Sequence, residues 1–145
     1  MGGAALRALS AHIGYLFTEL PLEQRPAAAK RAGFDAIEHP LPSSFPAAAM
    51  ARMLDAEGLI FAQLSTGFGN VTRGEKGLPA LPGREAEIRA ALDAALDYAE
   101  AIECRLVHPM AGVPPIGITP AIAAATYLEN LTYSVERCRG GVFRS

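Results

Sequence analysis

Cysteine is scarce in this chain: of 145 residues only two are cysteines, Cys104 and Cys138, and they lack CxxC spacing. That gives no case for a disulfide framework or a thiolate metal site, and reads as two reduced, buried thiols of a cytoplasmic protein. Long hydrophobic runs are missing too, and none would span a bilayer. The start, Met1 to Arg7, lacks a charged segment followed by an apolar one, so no signal peptide is expected. It also lacks the Ser or Thr that a myristoylation signal places at the sixth position. Charge of one sign is absent: 13 Lys+Arg against 15 Asp+Glu leave a net charge of -2. Neither nucleic acid nor an anionic membrane is therefore indicated as a partner. There is no GxSxG elbow, Walker loop, HExxH or GxGxxG, and the serines have no identifiable catalytic partner. What remains is a chain that is 50% apolar and long enough for one core, read as a single domain over residues 1–145.

Its pattern alternates. Leu9 to Phe17 suits a strand broken by Gly14, with His12 inside it. His12 reads either as a hydrogen-bonded core residue or as a group at a strand's functional end. Leu22 to Ala32 is Ala-rich and helical, with Pro26 near its first turn, where proline costs least, and Gly33 placed to end it. Phe34 to Glu38 alternates as a second strand, closed by Glu38 and followed by His39. That pair is either a substrate-binding carboxylate and imidazole or a solvated rim. Phe45-Pro46 opens a helix whose Met50, Met53 and Leu54 face the core, and Gly58 ends it. Ile60 to Leu64 is a third strand with Gln63 as its polar member. Arg84 to Ile102 is a strong helix, with Ile88, Leu92, Ala95, Leu96 and Ala99 on one face. Cys104 to Pro109 is a fourth strand ending at His108, either structural or facing a site, and Pro120 to Arg139 is a fourth helix. Strand and helix in turn, four times, predict a parallel α/β sheet with right-handed crossovers.

Between the third strand and third helix lies Gly69 to Ile88, GNVTRGEKGLPALPGREAEI. Gly69, Gly74, Gly77, Pro79 and Pro82 exclude a regular helix in its first half and imply a shaped loop. A long loop after a strand and before a helix is where a βα-barrel keeps its site, although a solvated connection would look the same. Gly69, Gly74-Glu75-Lys76-Gly77 and Pro82-Gly83-Arg84-Glu85 resemble a stretch of the hydroxypyruvate isomerase family, within the xylose isomerase-like TIM barrels. Asn70-Val71 stands where that family has Asp-Trp, and Lys76 where it has Arg. His108 to Gly112 resembles its His-x-Met-Ala-Gly, and Tyr127 to Leu131 its Val-Glu-Asn-Leu. The likeness runs from about Leu9 to about Cys138, but the aromatic segment after Glu38 is replaced by His39-Pro40-Leu41-Pro42-Ser43.

The resemblance implies a (β/α)4 half of a TIM barrel, units one to four, whose full form takes about 250 residues. It implies an aldose–ketose isomerisation of a small hydroxy-carbonyl acid, hydroxypyruvate to tartronate semialdehyde. A carboxylate moves the proton and a divalent metal, Mg²⁺ or Mn²⁺, steadies the enediolate. The metal ligands and proton-transfer glutamates belong to later strands, of which Val142-Phe143 is read as a remnant. The expectation is a substrate-side wall of His12, Glu38, Gln63, Arg73, Glu75, Lys76 and His108, with Arg73 and Lys76 pairing a substrate carboxylate, and no turnover by this chain alone. The alternatives are a non-catalytic half-barrel that self-associates or binds a partner through its strand edges, or a related epimerase, dehydratase or 2-oxo-tetronate isomerase.

Overall fold

Four strands and four helices follow one another in a computed structural model that describes residues 8–40 and 45–140. The elements are β1 (Ser10–His12), α1 (Arg25–Arg31), β2 (Ala36–Pro40), α2 (Ala47–Glu57), β3 (Ile60–Ser65), α3 (Glu85–Ala101), β4 (Val107–His108) and α4 (Pro120–Gly140). The strands form one sheet in the order β1-β2-β3-β4, and every pairing is parallel. This is the (β/α)4 architecture expected from the alternation. Leu41-Pro42-Ser43 and Val142-Phe143 lie outside the described residues.

Several boundaries differ from the sequence reading, each for a local reason. The strand expected over Leu9 to Phe17 is cut to Ser10–His12. Beyond it the chain turns: the N–H groups of Tyr15 and Leu16 both donate to the His12 carbonyl. The helix expected from Leu22 starts as a 3-10 turn, Leu22–Gln24, and becomes α-helical at Arg25, with Pro26 in its first turn. β2 runs two residues past Glu38, to Pro40, and β3 one past Leu64, to Ser65. The strand expected over Cys104 to Pro109 keeps only Val107 and His108, which pair with Leu64 and Ser65.

Side chains on a strand alternate between its two faces. Ala11, Ile37 and Phe61 are paired across β1, β2 and β3 and are almost fully buried against the helix layer. Ile13, Met50, Leu54, Leu64, Ala95 and Ala99 join them in one core. Burial of a Leu- or Ile-sized side chain contributes roughly 1.5–3 kcal/mol, so this layer fixes how the strands face. The next residue on each strand then looks the other way, and His12, Glu38 and Gln63 form a paired row on the opposite face. A bulge helps: Ile37 pairs Phe61 but Glu38 pairs Gln63, so Ala62 is the extra residue that brings Gln63 level with Glu38. α4 is tied down through polar groups. Asn130 Nδ2, buried, donates to the Pro79 carbonyl at 2.8 Å, and Arg137 meets Asp93 at 2.9 Å. No helix among the described residues is long and apolar enough to cross a membrane.

Candidate functional site

The polar row opens into a cavity of about 120 Å³ at the C-terminal ends of the strands. His12 comes from β1, Glu38, His39 and Pro40 from β2, Gln63 and Ser65 from β3, and His108 from β4, with Tyr15, Phe68 and Met110 at the rim. The register builds it in two tiers: His12–Glu38–Gln63 and, one step nearer the mouth, Pro40–Ser65–His108. Of the residues expected from sequence, His12, Glu38, Gln63 and His108 are thus brought together.

Arg73, Glu75 and Lys76 are not among the residues lining this cavity. Lys76 is exposed. Glu75 is buried and holds the loop closed: its Oε2 accepts from the Asn70 N–H at 2.7 Å, and its Oε1 accepts from Arg84 at 2.9 Å. The Arg84 guanidinium, then the Asn70 N–H, hold the Glu75 carboxyl below the usual carboxylate range. Arg73 lies 3.4 Å from the same carboxylate, and Arg84 also engages Glu87. Asn70 Oδ1 caps the short 3-10 turn Val71–Arg73 by accepting the Arg73 N–H, and Gly74 ends it with a left-handed φ of 74°. The loop folds onto the β4–α4 connection. Gly77 pairs with Ala111, and the Ala80 N–H donates to the Ala111 carbonyl at 2.7 Å. A Cβ at Gly77 would overlap the Met110 carbonyl oxygen, so only glycine permits this approach. The glycine-rich loop is therefore a clasp that holds Met110 and Phe68 together beside the cavity.

The wall beside β1 is stiff. His12 stacks on Tyr15 with ring centroids 4.3 Å apart, and its Nδ1 is buried with no partner among the described residues. A Cβ at Gly14 would come 2.8 Å from His12 Cε1, so glycine makes room for the ring. Arg25 supports the turn from behind by donating to the Ile13 and Leu20 carbonyls at 2.8 and 2.9 Å. His39, 6.4 Å from His12 between ring centroids, donates its Nδ1–H to the Pro40 carbonyl. Burial pushes the His39 imidazolium below its ordinary range; the Pro40 bond opposes this, and the nearby His12 and Arg25 add to it. Tyr15, Ser65, Phe68 and Met110 were not singled out by sequence. Ser65 could have been found from the period of two beyond Gln63, whereas the other three arrive through turns and loops.

Comparison with known proteins gives a consistent result. A family model described as xylose isomerase-like TIM barrel matches residues 26–140. A 2-oxo-tetronate isomerase of Cupriavidus necator is 40% identical over 125 residues, which make up 86% of this chain and 48% of the relative. A Homo sapiens protein named for hydroxypyruvate isomerase is 38% identical over 130 residues, 86% of this chain and 47% of the relative. The crystal structure of AP endonuclease, family 2, from Brucella melitensis superposes with a TM-score of 0.83 at 33% identity, covering 90% of this chain and 50% of that one. The chain spans about half the length of the curated relatives it matches.

Proposed function

The chain belongs to the xylose isomerase-like TIM-barrel family, and from that membership we propose that it supplies the substrate-binding wall of an aldose–ketose isomerase for a small hydroxy-oxo acid. Hydroxypyruvate and 2-oxo-tetronate are the two candidates, because relatives of 36–40% identity carry those names. The observation that carries the reading is the row His12–Glu38–Gln63, continued by Ser65 and His108, at the strand ends where TIM barrels keep their sites. Each group has a role that its chemistry allows. Glu38 accepts hydrogen bonds from ligand hydroxyls, and Gln63 donates to a carbonyl or carboxylate while accepting from a hydroxyl. Ser65 and His108 hold the ligand end nearer the mouth.

Members of this family imply a divalent metal, Mg²⁺ or Mn²⁺. Among the described residues no three His, Cys, Asp or Glu side chains gather as a metal would need, so these residues do not fit such a centre. Among the described residues Glu38 is also the one carboxylate lining the cavity, without the opposed acid–base partner that proton transfer between neighbouring carbons calls for. This wall binds and orients; it does not by itself move the proton. Calorimetric titration with hydroxypyruvate and with 2-oxo-tetronate tests the reading. One of them should bind, and Glu38→Gln or Gln63→Ala should weaken binding about tenfold, as for loss of a hydrogen bond to a charged or polar ligand group. No binding of either acid would remove the reading.

A second reading, self-association, draws on Ile60 and Leu106. Ile60 opens β3 and Leu106 immediately precedes β4, and they are 64% and 54% exposed. The β1 and β4 edges offer backbone groups for pairing with another chain. Light scattering on the eluting protein separates the cases: a dimer favours it, and a monomer at high concentration counts against it.

A further inference from the structure

His39 is half-buried at the end of β2, and its bond to Pro40 fixes which ring nitrogen carries the proton. A carbonyl oxygen can only accept, so Nδ1 must be the donor. In the neutral ring the proton is then on Nδ1, and Nε2 holds a bare lone pair. Among the described residues, Pro40 is the ring's one hydrogen-bond partner, and it meets Nδ1. The ring lines the cavity, and its Cδ2 edge lies against Gly14, 3.5 Å from where a Cβ would stand.

We infer that His39 Nε2 is a hydrogen-bond acceptor reserved for a ligand hydroxyl, which makes His39 the residue that separates hydroxy-oxo acids from plain oxo acids. The inference rests on the proposed function of this cavity and adds the feature it selects. The groups facing the ring set its charge. His12 and Tyr15 lie on the β1 side, Arg25 on α1, Glu38 is its neighbour on β2, and His108 lies across the cavity on β4. Burial disfavours an imidazolium, the Pro40 bond opposes this, and the nearby His12 and Arg25 add to the effect of burial, so the balance favours the neutral, accepting form. A carboxylate oxygen has no proton to give and would meet the lone pair head-on. A hydroxyl satisfies it. Sites that hydrogen-bond a ligand hydroxyl reject the analogue without one far more strongly than apolar pockets reject an extra methylene.

The test compares hydroxypyruvate with pyruvate, which differ by that hydroxyl, in calorimetric titrations of the 145-residue chain near neutral pH. The expected result is tighter binding of hydroxypyruvate by about tenfold or more. His39→Gln, whose Oε1 can stand near the Nε2 position, should keep part of that preference, and His39→Asn, which reaches only as far as Nδ1, should lose it. Acidification below the ordinary imidazole range of about 6.5 should weaken hydroxypyruvate binding, approaching tenfold per pH unit, and by more than in His39→Gln. A ring-nitrogen NMR spectrum of the unmutated protein gives a readout that needs no variant: Nδ1 protonated, Nε2 bare and shifting with hydroxypyruvate but not with pyruvate. Equal affinity for the two acids, or a proton on Nε2 in the neutral ring, overturns the inference and leaves the proposed site standing. Failure of both acids to bind removes both.

Discussion

Replacing Gly77 by alanine probes the contact on which the cavity rim depends. Gly77 has a φ of 132°, and a Cβ there would overlap the Met110 carbonyl oxygen, stand 2.5 Å from the Met110 carbonyl carbon and 2.8 Å from the Gly112 nitrogen. Those neighbours are backbone, so no rotamer change relieves them. A side chain in so sparsely populated a backbone region costs about 1–3 kcal/mol. Forcing packed groups apart costs roughly 1–3 kcal/mol more. The sum, about 2–6 kcal/mol, is a large part of the 5–15 kcal/mol that typically stabilises a domain. Gly74→Ala is the control. Its φ of 74° is also left-handed, but nothing lies within 4 Å of its Cβ position, so only the conformational cost of about 1–2 kcal/mol applies. Urea denaturation followed by circular dichroism gives both values. Gly77→Ala should be the more destabilised by at least about 1 kcal/mol, with ligand binding weakened because Met110 lines the cavity. Coincident midpoints for the two variants would refute the claim that backbone apposition at Gly77 holds the loops together.

Other outcomes are equally specific. The Glu75 carboxyl has its folded pKa depressed below 4.5, so its contribution is present above that value and lost as pH falls through the lower folded one. The unmutated protein should lose stability more steeply than Glu75→Gln on going below about pH 4.5, read from urea midpoints across pH. Tyr98 carries a buried hydroxyl with no partner among the described residues, and burial pushes its pKa up to about 12. Tyr98→Phe should therefore stabilise by about 1 kcal/mol, and a loss of stability would show that the hydroxyl is satisfied. Purified 145-residue chain with Mg²⁺ or Mn²⁺ should turn over no hydroxypyruvate above a metal-only blank, since general acid–base groups alone account for about 10²–10⁴-fold. Turnover that disappears in Glu38→Gln would contradict this.

Much of the fold could be read from local chemistry. The period of α3 put Ile88, Leu92, Ala95, Leu96 and Ala99 on one face, and all are buried. Gly33 and Gly58 follow α1 and α2 with left-handed φ of 92° and 59°. That His12, Glu38, Gln63 and His108 share one end of the sheet was legible because position at a strand's end is a property of the strand itself. Arg73, Glu75 and Lys76 were placed beside them because a loop's polar groups carry no information about which way the loop folds. That direction is set by the reach of Arg84 back to Glu75 within the loop and by the Gly77–Ala111 pairing, a contact between segments far apart in sequence. The short β1 was hidden for a different reason: Ile13, Tyr15, Leu16 and Phe17 continue the apolar run, but the chain turns back to the His12 carbonyl, with Phe17 at a left-handed φ of 60°. The proton position on His39 depends on the neighbouring carbonyl, which composition and spacing do not reveal.

The central claim is that strand-end residues, not the glycine-rich loop, meet the ligand. A ¹H–¹⁵N NMR titration of the 145-residue chain with hydroxypyruvate or 2-oxo-tetronate tests it residue by residue. The account predicts saturable shifts at His12, Glu38, His39, Gln63, Ser65 and His108, with Arg73 and Lys76 unmoved. Shifts centred on Arg73 to Lys76, with the strand ends silent, would contradict it.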